Sequence, residues 1–176
     1  MSHRPLRAAL GLAAAGALSL SLAAVPAQAA PAADPFPFAW TQLVSTYTAT
    51  GAYGYEPFTQ AGGYLITPCV PGLGYRYVDL DAVQDDGDLD PGKPEALLYE
   101  DGPDGRRRLV GAEWIVQAGT GVDRPSLFGQ DFNGPDLLPQ PLGSGHTLRA
   151  WLYKTNPDGL FSPTNPTVTC PANPAP

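Results

Sequence analysis

The sequence is poor in the side chains on which most enzymes and metal sites depend. Its 176 residues include two histidines, two cysteines and one methionine. His3 lies in the N-terminal segment that is predicted below to be removed by cleavage, so a Ser-His-Asp triad would have to use His146. No Gly-x-Ser-x-Gly motif surrounds any serine. Two cysteines and one histidine also fall short of the four ligands that zinc prefers. These shortages favour a non-enzymatic protein over an enzyme, and we expect no bound cofactor.

Basic residues are also scarce. Lys and Arg together number 10 against 17 Asp and Glu, which gives a net charge of −7. An acidic surface repels nucleic acid and anionic lipid, so we expect neither as a partner. The only basic run, Arg106-Arg107-Arg108, has acidic residues on both sides and is interpreted as the solvated start of a strand.

Long apolar runs are absent except at the N-terminus. A short basic start is followed by an apolar stretch from Ala8 to Val25, and Ala27 and Ala29 then form the small-residue signature of signal peptidase cleavage. No second run is long enough to span a bilayer. The pattern therefore predicts a cleaved signal peptide over residues 1–29, an extracellular location and no stable membrane anchor.

The remaining chain has the length of one domain. We expect a Pro/Ala-rich leader over residues 30–38, a single secreted domain over residues 39–170 and a short tail over residues 171–176. Outside the cell an even pair of cysteines is most simply a disulfide, so we predict a bond between Cys69 and Cys170. Such a bond closes a loop of about a hundred residues, which the chain-entropy estimate values at about 4–5 kcal/mol.

The first element of the domain has helical periodicity. Trp40, Leu43, Val44 and Tyr47 recur at i, i+3, i+4 and i+7, which predicts a helix with these four side chains on its apolar face. The helix is expected to end near Gly51.

Strand patterns follow the helix. Alternating or continuous apolar runs predict strands at residues 74–78, 95–100, 108–117 and 146–153, and Gly102-Pro103-Asp104-Gly105 is a turn that makes a hairpin of the second and third. Residues 119–144 are Pro/Gly-rich and predict a long packed loop that includes Phe128 and Phe132. The order of elements favours an α+β fold, with the helix on one face of a mainly antiparallel sheet. An all-β sandwich is the alternative.

Three charged residues interrupt these otherwise apolar strands. Arg76, Glu113 and Arg149 each lie among aromatic and aliphatic residues, and alternation on the last strand places Arg149 and Trp151 on the face opposite Leu148. Two arginines and a glutamate, with Tyr99 and Trp151 as aromatic walls, would suit a small anionic or planar ligand. A structural Arg–Glu–Arg network, or ordinary solvated positions, would produce the same pattern.

An acidic segment over residues 79–90 is a second candidate site. Asp86, Asp88 and Asp90 alternate as calcium ligands do, and the extracellular space is rich in calcium. The EF-hand pattern fails, because its sixth position is Pro91 and its twelfth is Leu97. A solvated turn is therefore favoured, with a divalent-cation protein as an alternative function.

A pair of glutamates offers a further alternative. Glu100 and Glu113 lie on opposite arms of the predicted hairpin, and glycoside hydrolysis requires two carboxylates across a cleft. Any acidic hairpin contains such pairs, so a hydrolase that uses them is the less favoured alternative.

Six blocks occur in order between about Gly63 and Cys170. They are Cys69-Val70-Pro71-Gly72-Leu73-Gly74-Tyr75-Arg76-Tyr77-Val78, Pro94-Glu95-Ala96-Leu97-Leu98-Tyr99-Glu100, Leu109-Val110-Gly111-Ala112-Glu113-Trp114, Leu127-Phe128-Gly129, Leu148-Arg149-Ala150-Trp151-Leu152-Tyr153-Lys154-Thr155-Asn156-Pro157, and Asn165-Pro166 with Cys170. This series resembles an uncharacterised family of small secreted bacterial proteins. The resemblance implies no known activity.

The chain departs from that family pattern at two positions. Histidine stands in the pattern where this chain has Arg76 and Arg149, and the glutamate at Glu113 is kept. Two histidines and a glutamate imply a metal site in the relatives, whereas arginine does not give up a proton to coordinate a cation. The resemblance therefore implies that this chain has replaced that site. The leading hypothesis is an extracellular binding or interaction module with a small anionic ligand at Arg76, Glu113 and Arg149.

Overall fold

The structure is a computed structural model that describes residues 39–56, 59, 62–85, 89–119 and 124–171. Within these residues the helices are α1 and α2, and a short 3-10 turn over Gly51–Gly54 follows α1. The helices span Ala39–Thr50 (α1) and Leu80–Gln84 (α2). The strands span Leu65–Ile66 (β1), Tyr75–Val78 (β2), Ala96–Asp101 (β3), Arg107–Gln117 (β4), Ser126–Leu127 (β5), Gln130–Asp131 (β6), Asn133–Leu137 (β7) and Ser144–Ala150 (β8).

Six of these strands form one antiparallel sheet in the order β1-β2-β3-β4-β8-β7, and β5 pairs with β6 separately. The predicted hairpin is confirmed as β3 and β4, with Leu97 opposite Ala112. Helix α1 packs against one face of the large sheet, hereafter the helix face. The expected α+β class is therefore confirmed over the all-β sandwich.

Helix α1 forms where the periodicity predicts it, but of the four residues of the predicted apolar face only Leu43 is buried. Trp40 is 51% exposed and Val44 is 62% exposed, whereas the buried residues are Ala39, Leu43, Thr46 and Thr50. The hydroxyl of Thr46 donates to the carbonyl of Pro91, and the hydroxyl of Thr50 donates to the backbone carbonyl of Thr46. Because these hydroxyls find acceptors, threonine occupies buried positions that the apolar pattern assigned elsewhere.

The core of the helix face is aromatic. Trp114 contacts the edge of Phe128 with ring centroids 4.9 Å apart, and Tyr77 lies 4.6 Å from Tyr99. Leu43 of α1 belongs to the same cluster of buried side chains. Burial of large aromatic rings supplies much of the apolar area that stabilises a domain of this size.

The long segment before β8 is more regular than predicted. It contains β5, β6 and β7, and β7 pairs with β8 at the edge of the sheet. The prediction that it is packed is confirmed, because Phe128 and Phe132 are each 1% exposed. β5 and β6 are two residues each, too short to show a period, and β7 contains Gly134 and Pro135, which break a strand pattern.

The other face of the sheet, hereafter the second face, is covered by the C-terminal segment. The predicted disulfide between Cys69 and Cys170 is confirmed, with a Cα–Cα distance of 5.8 Å. Beside it, the N–H of Gly72 donates to the carbonyl of Val168 at 3.0 Å. Val168 packs with Leu98 and Trp151 in a small apolar cluster.

The described residues belong to one compact unit. None of the helices in this part of the chain has the length and apolarity needed to cross a bilayer. The predicted signal peptide (1–29) and leader (30–38), and most of the predicted tail, lie outside the described residues.

Candidate functional site

The three charged residues singled out in the sequence meet on the second face. Arg76 comes from β2, Glu113 from β4 and Arg149 from β8, and Glu113 is the direct cross-strand partner of Arg149. On the other neighbouring strand, β3, the cross-strand partner of Glu113 is Ala96. The direct partner of Arg76 on β3 is Leu98, and the long side chain of Arg76 extends past β3 to the carboxylate on β4. We call Arg76, Glu113 and Arg149 the Arg–Glu–Arg cluster.

One carboxylate oxygen binds both guanidinium groups. Oε1 of Glu113 lies 3.0 Å from Nη2 of Arg76 and 2.6 Å from Nη2 of Arg149. The side chain of Glu113 is fully buried, and those of Arg76 and Arg149 are 12% and 8% exposed. Two guanidinium groups and one carboxylate give the cluster a formal charge of +1 beneath the surface of an acidic protein.

The cluster does not satisfy all of its own polar atoms. Oε2 of Glu113 and the Nε atoms of both arginines are buried without a hydrogen-bond partner within the described chain. A buried polar atom without a partner costs about 1–3 kcal/mol, so the cluster is less favourable than a closed network. Burial lowers the pKa of Arg76, and Arg149 acts in the same direction, while Glu113 opposes both.

Arg149 also holds the chain that covers the second face. Its Nη1 donates to the carbonyl of Pro163 at 2.9 Å, and the indole N–H of Trp151 donates to the carbonyl of Ser162 at 2.8 Å. The predicted alternation on β8 is confirmed, since Leu148 and Ala150 belong to the core of the helix face. Trp151 therefore anchors the covering segment and packs in the apolar cluster with Leu98 and Val168.

Tyr99 is a correction to the predicted site. It lies in the core of the helix face, on the opposite side of the sheet from the Arg–Glu–Arg cluster. Its hydroxyl donates to the carbonyl of Tyr53 and forms a hydrogen bond with the hydroxyl of Thr59, each at 2.5 Å. The register explains this placement, because Tyr99 pairs with Tyr75, whose neighbour Arg76 points to the other face.

A cleft opens over Arg76 that the sequence did not reveal. It has a volume of about 490 Å³ and is lined by apolar residues of β1, of the 137–139 segment and of the loop after β1. The lining includes Leu65, Ile66, Val70, Leu137 and Leu138, and Arg76 alone among the described lining residues carries a charge. We call this space the Arg76 cleft. Its residues are far apart in sequence and have no shared pattern.

The glutamate pair is not brought to one site. Glu100 forms an ion pair with Lys154, with Oε2 2.5 Å from Nζ. In the strand register it lies opposite Arg108, near the hairpin turn. Glu113 lies further along β4, opposite Ala96, without solvent access. A carboxylate held between two guanidinium groups is poorly placed to exchange a proton with a substrate, so this geometry does not support glycoside hydrolysis.

The acidic segment is described only in part. Asp86 and Asp88 lie outside the described residues. Asp79 caps α2 by accepting from the N–H groups of Asp81 and Ala82, and Asp90 accepts from the N–H of Gly92. Among the described residues, no group of three His, Cys, Asp or Glu side chains is arranged to hold a metal ion. The calcium hypothesis for this segment stays a prediction.

A half-buried carboxyl group near this segment was not predicted. Oε2 of Glu95 accepts the N–H of Ile115 at 2.9 Å. Burial raises the pKa of Glu95 to about 7, the N–H groups of Ile115 and of Glu95 itself lower it, and Glu113 and Asp79 raise it further. Glu95 therefore titrates near neutral pH.

Comparison with known proteins adds no assignment to this geometry. No protein-family model, no curated protein and no solved structure matches the chain.

Proposed function

We propose that this chain is a secreted, non-enzymatic protein that binds a small anionic ligand at Arg76, above the Arg–Glu–Arg cluster. The N-terminal signal-peptide pattern supports export, and the disulfide between Cys69 and Cys170 is of the kind that persists outside the cell. The acidic composition argues against nucleic acid and anionic membranes as partners.

The observation that carries the proposal is the excess of positive charge at the base of a cleft. A single carboxylate oxygen is shared by two guanidinium groups, and one of them lines a cleft of ligand size. An arginine that a buried carboxylate holds in place loses little conformational entropy when it binds an anion. The charge left over on the cluster is then matched by the charge of the ligand.

Isothermal titration calorimetry with the oxidised domain tests the proposal, with small carboxylates, inorganic phosphate and sulfate as probes. Arg76→Gln should weaken binding of the best anion at least tenfold, and Arg76→Lys should weaken it less, because the charge is kept while the planar donor set is lost. Arg108→Gln is the matched control, because that arginine is 56% exposed and pairs with Asp104 at the hairpin turn.

Circular dichroism and thermal melting establish that each variant is folded. Equal affinity of the wild type and of folded Arg76→Gln, or no binding of any anion to the wild type, would leave the cluster with a structural role only.

A further inference from the structure

We infer that the ligand of the Arg76 cleft is a monocarboxylate with an aliphatic body, an inference that rests on the proposed function and specifies its ligand class. The carboxylate binds the guanidinium of Arg76, and the aliphatic chain lies along the apolar walls.

The charge in the cleft is suited to one anionic group. Nη2 of Arg76 is engaged by Glu113, and Nη1 makes no hydrogen bond within the described chain. The Arg76 side chain is 12% exposed and is the one charged side chain among the described residues that line the cleft. A single arginine suits a monoanion better than a phosphate, which is usually held by several donors.

The walls are suited to an aliphatic chain. Ile66, Val70 and Leu137 are 41%, 46% and 79% exposed, and all three line the cleft. Exposed aliphatic side chains gathered around one cleft mark a binding surface more than the same residues scattered over a protein. Since the described lining holds no aromatic ring, it offers no stacking surface to a planar ligand.

Residues of both edge strands of the sheet line the cleft. Leu65 and Ile66 belong to the edge strand β1, and Leu137 ends the other edge strand, β7. Leu65 also packs against the apolar cluster that contains Leu138 and Ile115. Two of the lining residues, Leu65 and Leu138, are therefore attached to the core. The volume of the cleft, about 490 Å³, lies within the usual range for ligand pockets, about 300–1,000 Å³.

One acidic group opposes anion binding. Asp136 of β7 interacts electrostatically with Arg76, but it is exposed and forms no ion pair with Arg76 in the described structure. Water screens an exposed carboxylate, so Asp136 reduces the attraction for an anion without removing it. Asp136→Asn should therefore strengthen carboxylate binding about twofold to fivefold.

Calorimetry with four probes tests the inference: acetate, octanoate, 1-octanol and 3-phenylpropanoate. Each buried methylene contributes up to about fourfold in affinity, so octanoate should bind at least thirtyfold more tightly than acetate. Octanol, which lacks the charge, should bind at least tenfold more weakly than octanoate. Leu137→Ser should reduce the advantage of octanoate over acetate at least threefold, and Val44→Ser, which changes another exposed aliphatic residue on α1, should not.

The outcomes separate this inference from the proposed function. If acetate and octanoate bind equally and both lose affinity in Arg76→Gln, the anion site stands and the aliphatic ligand is wrong. If octanol matches octanoate and Arg76→Gln changes neither, both the anion site and the inference are wrong. Tighter binding of 3-phenylpropanoate than of octanoate would overturn the aliphatic assignment.

Discussion

Glu113 and Arg149 face each other directly across β4 and β8, and Nη2 of the arginine lies 2.6 Å from Oε1 of the glutamate. Arg76 reaches the same oxygen from β2. The carboxylate thus joins strands that are not all neighbours, since β3 lies between β2 and β4. This arrangement makes Glu113 a structural requirement for any site built on either arginine.

Replacing Glu113 should therefore destabilise the fold strongly. Glu113→Gln leaves two buried guanidinium groups without a counter-charge, and breaking a buried ion pair in this way costs about 3–5 kcal/mol. Urea unfolding monitored by tryptophan fluorescence measures the change. The control is Asp104→Asn, which removes an exposed partner of Arg108 and should change the unfolding free energy far less. Equal effects of the two changes would contradict the proposed role of Glu113.

Glu95 should make the stability depend on pH near neutrality. Burial raises the pKa of Glu95 from 4.5 to about 7, so the folded protein holds this proton more tightly than the unfolded chain does. The stabilising contribution is complete below about pH 4.5 and is lost as the pH rises through about 7.

The variant Glu95→Gln tests this dependence, because glutamine does not titrate. Relative to the wild type, it should gain up to about 3 kcal/mol of unfolding free energy between pH 4.5 and pH 8. Asp81→Asn on α2 controls for the loss of one exposed acidic group. Parallel pH curves for Glu95→Gln and the wild type would show that Glu95 does not titrate in this window.

Gly74 should tolerate no side chain. Its φ is +78°, and a Cβ atom there would collide with the carbonyl oxygen of Tyr99. We expect Gly74→Ala to cost about 3 kcal/mol or more, from left-handed strain together with a backbone displacement. Gly143→Ala is the matched control, because its φ is +76° but no atom lies within 4 Å of the added Cβ. A thermal melt that ranks the two variants equally would rule out the collision.

The disulfide should hold the C-terminal segment against the second face. Replacing both Cys69 and Cys170 with alanine should lower the unfolding free energy by up to about 5 kcal/mol, because the bond closes a loop with a separation of 101 residues. Hydrogen exchange should quicken most at the N–H groups of Gly72, Asn165 and Val168. The first two bond the C-terminal segment to the turn before β2, and the third bonds within the C-terminal segment. Exchange that quickens uniformly instead would mean that the bond stabilises the whole domain without a local effect.

Cleavage of the signal peptide should give the secreted protein a defined mass. We expect the secreted protein to begin after Ala29 or Ala30 and to weigh two hydrogens less than the reduced chain, as intact mass spectrometry would show. The same experiment with a chelator examines the calcium hypothesis for Asp86, Asp88 and Asp90, because a bound divalent ion adds mass that chelation removes. Retention of residues 1–29 would contradict the signal peptide.

Alternation along strands predicted much of the site. It separated Arg149 and Trp151 from Leu148, and the structure places them on opposite faces. It also identified the β3–β4 hairpin, whose arms are joined by a strong turn. These features depend on residues near each other in sequence, where side-chain direction follows directly from the backbone.

The rest depends on the pairing of distant segments. Tyr99 was assigned to the site because one strand alone does not show which residues lie beside it on the next strand. The buried face of α1 was misjudged because Thr46 finds an acceptor 45 positions away, at Pro91. The Arg76 cleft joins both edges of the sheet, and no local pattern predicts that approach.

The edges of the sheet also bear on how the chain behaves at high concentration. β1 is two residues long, and β7 contains Pro135, which has no N–H to donate, and the charged Asp136. Short edges, proline and charge each deny another chain the continuous ladder of donors and acceptors needed for strand addition. The apolar walls beside these edges can thus remain open to a small ligand without providing a template for cross-β aggregation.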